Sequence, residues 1–258
     1  IQEIEHVAFF SQPVREVVSN VSHLLRYFPQ SLQLLTGKSG SDEMSFVSRW
    51  LAQQNISRAI ETSTGMTFKP KVHFVEHHYG HAASAFYPSP FESSAILSID
   101  GRGESASTFA GLGRGPKLEK LNEVRVPHSM GFLYAAITHH LGFKAFFDEW
   151  KVMGMAAYGT PKYLRKFQEL IKVTDDGHFE LNLKYFKFHV CGQKQWLAPL
   201  FDSEFCPPRN PKAEYLQEHF DLAFALQKTT EAVGVRLAQN LKKMTGEKRL
   251  YIAGGVTF

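Results

Sequence analysis

Apolar residues along the chain fall into short continuous runs and into longer stretches with helical spacing. The runs predict strands over residues 4–10, 71–75, 94–99, 107–110, 118–126 and 250–253, and alternation predicts another over 178–188. The helical spacing predicts helices over residues 13–28, 43–59, 82–86, 129–141, 149–157, 163–171 and 218–244. Residues 192–211 have no clear period and predict an irregular loop. Strands and helices mixed without simple alternation predict an α/β domain.

The composition fits a globular domain and argues against several other classes. Hydrophobic residues make up 43% of the chain and charged residues 21%, which is enough to build a sizeable core. The net charge of +4 does not come from one basic block, so we expect no nucleic-acid partner. No run approaches the roughly 20 apolar residues of a membrane span. The two cysteines, Cys191 and Cys206, favour a reducing compartment, so we expect a cytoplasmic protein.

The segment from Glu76 to His81 carries three histidines in five positions. If it is helical, His77 and His81 lie one turn apart and their imidazoles can reach one divalent ion. Asp100 is the best third ligand, because it ends a strand and precedes a glycine. Two histidines and one aspartate leave open metal positions for substrate chemistry. A chance cluster among the 12 histidines, and an Asp100 that only forms a turn, stay open as alternatives.

Glycine-spaced turns follow two of the predicted strands. Residues 100–104, with Gly101 and Gly103, predict a hairpin turn whose backbone N–H groups can face a phosphate. Residues 253–256, with Gly254 and Gly255, predict a second anion-binding turn. Both are equally compatible with plain turns. The glycines within residues 111–115 predict a loop between two strands.

Six segments match one family in order along the chain. They are HHYGHAASAF at 77–86, SIDGRGE at 98–104, PHSMGFLY at 127–134, LGF at 141–143, EWKVMGMAAYG at 149–159 and AGGV at 253–256. Together they resemble the NodU/CmcH-type O-carbamoyltransferases. The chain departs from the family pattern at Trp150, Met155, Ala157 and residues 257–258, none of which is an expected ligand.

The resemblance implies an α/β fold of the actin/hexokinase/sugar-kinase superfamily, in its threonylcarbamoyl-transferase branch. It implies that residues 1–258 are part of the family's N-terminal domain. We expect the family's opening strand before Ile1, a fourth metal ligand after Phe258 and a C-terminal YrdC-like domain outside this chain. The piece alone is therefore expected to be inactive.

The resemblance also implies a reaction. The YrdC-like domain makes carbamoyl adenylate from carbamoyl phosphate and ATP, and the present domain passes the carbamoyl group to a hydroxyl of a small molecule. An iron-like divalent metal is expected at His77, His81 and Asp100, where it stabilises developing charge.

Further roles follow for single residues. Asp100 also orients the carbamoyl adenylate, and the turns with Gly101, Gly103, Gly254 and Gly255 hold the nucleotide. Gly131 presents its N–H to the adenylate. Lys151 contacts a phosphate or ribose, or alternatively forms a surface ion pair. His78 is a candidate base for the acceptor hydroxyl.

Two other functions are compatible with the same motifs. One is a related enzyme that acts on tRNA or protein, and the other is a non-catalytic domain that binds nucleotide and serves as a partner. The residues do not identify the acceptor, because acceptor choice depends on variable loops. By resemblance the candidates include an antibiotic scaffold, an aminoglycoside-like sugar and a lipo-oligosaccharide. The helix over 218–244 is a candidate dimer face, although core packing explains its apolar stripe equally well.

Overall fold

The computed structural model of the protein describes residues 3–35, 55–65, 67 and 70–257. Its strands are β1 (His6–Phe9), β2 (Lys71–Phe74), β3 (Ser93–Ile99), β4 (Ala106–Arg114), β5 (Lys117–Arg125), β6 (Ile171–Val173), β7 (Phe179–Leu181) and β8 (Leu250–Ala253). Its α-helices are α1 (Pro13–Arg26), α2 (Ile56–Thr64), α3 (His77–Phe86), α4 (Met130–His140), α5 (Glu149–Ala156), α6 (Leu164–Phe167), α7 (Phe188–Cys191), α8 (Pro199–Glu204) and α9 (Gln217–Thr245). The predicted α/β class is confirmed.

The main sheet has the strand order β5-β4-β3-β8. Strand β4 is antiparallel to both β3 and β5, while β8 is parallel to β3. Strand β3 is buried on both faces, so its continuous apolar run has no polar alternation. Ala95 and Leu97 point into the larger core, which includes residues of α4 and α9, and Ile96 points toward α3. The sheet is therefore the middle layer of three.

Helix α4 lies in the larger core and has little exposed surface. Ser129 caps its N-terminus by accepting a hydrogen bond from the Phe132 N–H at 3.0 Å. Leu133 and Ile137 are fully buried. Burial of each such side chain contributes about 1.5–3 kcal/mol, so packing rather than helix propensity holds α4 in place.

The first strands and helix form a separate layer, which we call the N-terminal unit (β1, α1 and β2). Strands β1 and β2 pair in parallel outside the main sheet. Helix α1 contacts the rest of the protein through His23, whose Nε2 lies 2.6 Å from the carbonyl oxygen of His189 in α7. The side chain of Arg102 donates a hydrogen bond to Asn20 of α1. We call the part from α3 to β8 the body.

Three predicted elements are wrong in part, all in one region. The helix predicted over 163–171 is α-helical only over Leu164–Phe167, the strand predicted over 178–188 is limited to β7, and the loop predicted over 192–211 contains α8. Aromatic rings from these segments pack on one another, as in the stacked pair Phe201 and Phe205 at 4.4 Å. This tertiary packing overrides the local spacing of apolar residues.

Two further predictions concern glycine and helix positions. Gly111 and Gly113 belong to β4 rather than to a loop, and a Cβ atom at residue 113 would lie 2.8 Å from the Phe86 ring. Glycine here lets α3 approach the sheet closely. The helix predicted over 43–59 lies mostly outside the described residues, and its described end belongs to α2. No helix within the described residues is both long enough and apolar enough to cross a bilayer.

Candidate metal and nucleotide site

Helix α3 and the end of β3 bring three of the predicted ligands together. Asp100 Oδ2 lies 2.9 Å from His77 Nε2 and 2.9 Å from His81 Nε2. The two Nε2 atoms are 3.0 Å apart. His77 and His81 share one face of α3 because four residues make about one helical turn. The side chains are partly exposed, so the cluster is open to a ligand.

These three contacts are not all favourable as hydrogen bonds. Each contact needs one donor and one acceptor, but if both imidazoles donate to Asp100, their two N–H groups face each other. If one imidazole accepts instead, its lone pair faces the carboxylate. A cation beside all three atoms removes this conflict, because each atom then serves as a ligand.

The spacing of the three atoms also fits a divalent ion. Three ligand atoms about 2.1 Å from an octahedral ion and at right angles lie about 3.0 Å apart, whereas a tetrahedral ion sets them about 3.4 Å apart. The observed 2.9–3.0 Å therefore matches one face of an octahedron. Two histidines and one carboxylate in this arrangement are typical of non-haem iron(II) sites with open positions.

The local charges suit a cation. Burial acts to raise the pKa of Asp100, but the hydrogen bonds with His77, His81 and the Gly101 N–H outweigh it and hold the pKa well below its usual range. The contact with Asp100 in turn raises the pKa of His77 against the effect of burial. Asp100 is therefore ionised near neutral pH, as a metal ligand needs to be.

His78 lies on another face of α3 and is buried, with 1% of its surface exposed. Among the described residues, neither of its ring nitrogens makes a hydrogen bond. A Cβ atom at residue 103 would lie 2.7 Å from His78 Nδ1, so Gly103 is needed for the ring to fit. Burial lowers the pKa of His78 to about 4, and the neighbouring His77 acts in the same direction. The ring is therefore a neutral imidazole with unused polar atoms.

The two glycine turns and the start of α4 converge on Asp100. A Cβ atom at residue 131 would lie 2.6 Å from the Gly101 backbone, so Gly131 allows α4 to begin against the first turn. Gly254 has φ +91°, and a Cβ there would lie 2.3 Å from the Ile99 carbonyl oxygen. A Cβ atom at residue 255 would lie 3.3 Å from Asp100 Oδ1. The second turn therefore lies beside the Asp100 carboxylate.

Lys151 is placed differently. Its Nζ lies 2.7 Å from Asp148 Oδ1 and over the rings of Phe143 and Trp150. Its contacts with described residues do not include Asp100 or the glycine turns. The structure thus displays the ion pair that the sequence left open, and the phosphate or ribose contact stays a prediction.

A family model for the N-terminus of carbamoyltransferases matches residues 7–258. The chain belongs to this family. The resemblance drawn from the six sequence segments is thereby confirmed.

Relatives of this member of the carbamoyltransferase N-terminus family are longer than the chain. It is 33% identical to an uncharacterized protein of Synechocystis sp., over 99% of the chain and 42% of that protein. It is 34% identical to nodulation protein NolNO of Sinorhizobium fredii, over 72% of the chain and 26% of that protein. It is 31% identical to nodulation protein NolO of Bradyrhizobium diazoefficiens, over 70% of the chain and 31% of that protein. The chain therefore spans less than half the length of these relatives.

Sequence reasoning missed the buried carboxylate of Glu104, which supports the candidate ligand His77. Glu104 Oε1 accepts hydrogen bonds from the Gln12 N–H at 2.7 Å and from the His77 N–H at 3.1 Å. It thus ties the first turn of α3 to the start of α1 and places a negative charge at a helix N-terminus. Its place in the SIDGRGE segment at 98–104 was a signal, but the partner Gln12 is distant in sequence.

Charged side chains also surround Glu76, the residue before α3. Glu76 pairs with Arg15 of α1 and with Lys120 of β5, whose Nζ lies 2.9 Å from Glu76 Oε1. Lys120 also pairs with Glu123 at 2.7 Å. The start of α3 is therefore fixed from the N-terminal unit and from the main sheet at once.

Proposed function

We propose that the chain is the acceptor-side part of a metal-assisted O-carbamoyltransferase. The full protein would transfer a carbamoyl group from carbamoyl adenylate to a hydroxyl of a small molecule. The observation that carries this proposal is the triangle of His77, His81 and Asp100, whose three contacts suit one cation better than hydrogen bonds. Membership of the carbamoyltransferase family supports the choice of transferred group.

The three triangle residues would hold the ion, which we propose to be iron. When bound, a divalent ion supplies a Lewis acid that polarises the carbamoyl carbonyl. Asp100 would hold its Oδ2 toward the ion, while its Oδ1 accepts the Gly101 N–H at 2.7 Å and so keeps the carboxylate in one orientation. Backbone N–H groups of Gly101, Gly103, Gly254 and Gly255 would bind the adenylate phosphate.

The transfer itself needs one bond formed and one broken. The acceptor hydroxyl oxygen would bond to the carbamoyl carbon, and the bond from that carbon to the adenylate phosphate oxygen would break. AMP would leave with the electron pair of that bond. The neutral imidazole of His78 remains our candidate to take the hydroxyl proton. Gly131 would present its N–H to the adenylate, and Lys151 would exchange Asp148 for a phosphate or ribose oxygen.

The same proposal covers the wider architecture. The antiparallel strands β3, β4 and β5, with β8 added in parallel after a helical crossover, support placement in the actin/hexokinase/sugar-kinase superfamily and its threonylcarbamoyl-transferase branch. A YrdC-like domain elsewhere in the full protein would make carbamoyl adenylate from carbamoyl phosphate and ATP. We propose a small-molecule acceptor rather than tRNA, because the charge of the chain is dispersed.

The test uses the full-length protein, purified without oxygen. We expect about one metal ion per chain and transfer of a labelled carbamoyl group from carbamoyl phosphate and ATP to one of a panel of polyols and sugars. His81→Ala should lose both the metal and the transfer, because removal of one imidazole ligand sharply weakens the affinity of the site for the ion.

The matched control is His139→Ala, which removes an exposed histidine that contacts Trp196 rather than the triangle. It should keep the metal and the activity. Retention of metal and transfer in His81→Ala would overturn the ligand assignment. Absence of both in the unaltered protein, with nucleotide still bound, would favour the non-catalytic partner.

A further inference from the structure

One residue beside the nucleotide turns has an unusual backbone conformation. Within residues 3–35, 55–65, 67 and 70–257, Phe146 is the only residue other than glycine with a positive φ, at 67°. A bulky side chain costs free energy in this left-handed region, which glycine adopts without such a cost. Such outliers persist where the surrounding structure holds them, and they cluster at functional sites. The position therefore retains a phenylalanine although glycine would fit the backbone better.

The loop between α4 and α5 holds Phe146 in this conformation. Its N–H donates to Oε1 of Glu149, the first residue of α5, at 2.6 Å. The Lys144 N–H donates to Asp148 Oδ2 at 3.0 Å, and the Asp148 N–H donates to the Lys144 carbonyl oxygen at 3.0 Å. These bonds close the loop on both sides of Phe146, so they fix the direction in which its ring points.

The ring of Phe146 belongs to an aromatic wall, which we define as Phe132, Phe146 and Trp196. Its centroid lies 6.1 Å from that of Phe132 and 5.4 Å from that of Trp196, and both contacts are edge-to-face. Trp196 is 4% exposed, whereas Phe146 is 45% exposed. The aromatic wall is therefore anchored in the core at Trp196 and open to solvent at Phe146.

The aromatic wall lies against the turn that carries Asp100. A Cβ atom at residue 101 would lie 3.6 Å from Phe132 Cε1 and 4.0 Å from Phe146 Cε1. The Gly101 N–H donates to Asp100 Oδ1 at 2.7 Å, so the wall contacts the residue next to a candidate metal ligand. Phe146 thus provides an exposed apolar ring at the place where the proposed function puts the carbamoyl adenylate.

The chemistry at this place requires protection from water. A carbamoyl adenylate reacts with water as well as with an acceptor hydroxyl, since both offer an oxygen nucleophile. The water oxygen would bond to the carbamoyl carbon, and the bond from that carbon to the phosphate oxygen would break. AMP would leave with the electron pair and take up the proton that the water loses, and the carbamic acid formed would decompose to ammonia and carbon dioxide. Active sites limit such side reactions by excluding water from the intermediate.

We propose that the ring of Phe146 packs on the bound carbamoyl adenylate and keeps water from its carbamoyl carbon. A phenyl ring has no hydrogen-bond donor or acceptor that could hold a water molecule beside the intermediate. Its exposed surface would be removed from solvent when the adenylate binds, which favours the covered state. This inference rests on the proposed carbamoyl transfer, because it concerns the intermediate of that reaction.

The experiment follows the lifetime of the adenylate in the full-length protein, with protein in excess over ATP, carbamoyl phosphate present and no alcohol in the buffer. Pyrophosphate reports how much adenylate forms, and AMP reports its later loss to water. Phe146→Ala should shorten the lifetime of the adenylate about tenfold, because water then reaches the carbamoyl carbon. Phe146→Tyr keeps the ring and should retain most of the lifetime. The matched control is Phe147→Ala, which removes the adjacent exposed ring, whose centroid lies 3.9 Å from Lys144 Nζ, and should leave the lifetime unchanged.

A further variant separates protection of the intermediate from stability. Phe146→Gly also removes the ring, but it relieves the backbone at φ 67°, so it should melt at a higher temperature than Phe146→Ala. We expect both variants to shorten the lifetime of the adenylate equally. A lifetime that follows the melting temperature instead would show that Phe146 acts through the stability of the fold, and would overturn the proposal.

The outcomes also separate this inference from the proposed function. Pyrophosphate formation should be the same in the unaltered protein and in all Phe146 variants, because the proposed function places adenylate formation in another domain. Adenylate that forms in the unaltered protein and in Phe146→Ala, with the same lifetime in both, would overturn the protective role of Phe146 alone. Absence of pyrophosphate from the unaltered protein would refute the proposed reaction and, with it, this inference.

Discussion

The body and the N-terminal unit use apolar residues in opposite ways. In α4 of the body, Leu133 and Ile137 are fully buried. In α1 of the N-terminal unit, Val14 and Leu25 are each 73% exposed. Both helices have strong apolar content, so both are predicted from sequence. Periodicity identifies a helix, but it does not say which face of that helix the rest of the chain covers.

The exposed stripe of α1 is continuous. Val14, Val18, Val21 and Leu25 follow one another at spacings of four and three residues, and each is exposed. Phe28, just beyond the end of α1, is exposed as well. On its other side, α1 makes polar contacts with the body through His23, Asn20 and Arg15. Hydrogen bonds and an ion pair thus contribute to the attachment of the N-terminal unit, whereas the body is built around an apolar core.

The largest expected effect is the loss of stability on removing a core side chain of the body. Leu133→Ala removes a fully buried side chain in the core shared by α4 and β3. We expect the free energy of unfolding to fall by about 2–5 kcal/mol, because the lost contacts leave a cavity. Denaturant titration followed by circular dichroism measures this change. Leu133→Met, which nearly conserves volume, should cost less than about 1.5 kcal/mol, and an equal loss in both variants would contradict the cavity explanation.

A smaller effect is expected when the link between the N-terminal unit and the body through Glu104 is weakened. Glu104→Gln keeps one carbonyl oxygen as an acceptor for the N–H groups of Gln12 and His77, but it removes the negative charge of the carboxylate. We expect a loss of about 1–3 kcal/mol in unfolding free energy and weaker metal binding, because charge-assisted bonds at a helix N-terminus are replaced by neutral ones. Glu119→Gln, at an exposed position of β5, is the control. Unchanged metal affinity in Glu104→Gln would show that Glu104 does not position His77.

Acid should loosen the contact between α1 and α7. Burial lowers the pKa of His189 from 6.5 to about 4, helped by the positive charge of the nearby His23, and burial lowers the pKa of His23 as well. A histidine whose pKa is lower in the folded state contributes stability that is complete above pH 6.5 and lost as the pH falls toward 4.

Hydrogen–deuterium exchange between pH 7 and pH 4, corrected for the intrinsic rate, measures this loosening. We expect protection over α1 to decrease before protection over α4, because α1 has one buried residue, Pro13, whereas most of α4 is buried in the core. His189→Gln should flatten the pH dependence over α1, since glutamine does not titrate. Simultaneous loss of protection in α1 and α4 would mean that the two regions unfold as one unit.

The parts of the molecule that local spacing determines were predictable. His77 and His81 are one helical turn apart, and Asp100 follows a buried strand, so the triangle was found from sequence. The parts that depend on long-range pairing were not. Glu104 contacts Gln12 from 92 residues away, and the β6–β7 hairpin meets β5 through the hydrogen bond from Asn122 to the Asp176 carbonyl oxygen, 54 residues away. The region around α6 and α8 was wrong in part because interlocking rings, rather than helical faces, bury its apolar residues.

The smallest expected effect tests the exposed stripe of α1 directly. Val18 is 63% exposed, so Val18→Ala removes little buried surface. We expect the free energy of unfolding to change by less than about 0.5 kcal/mol, with a gain as possible as a loss, because alanine is the better helix former. Ala136→Gly, at a fully buried position of α4, is the contrasting variant and should cost more, since it adds a core vacancy to the loss of helix propensity. A loss above about 1 kcal/mol for Val18→Ala would mean that another protein surface covers this stripe, because an exposed methyl group contributes little to stability. The contrast between the two regions would then describe only the contacts within the described residues, and the N-terminal unit would belong to a larger apolar interface.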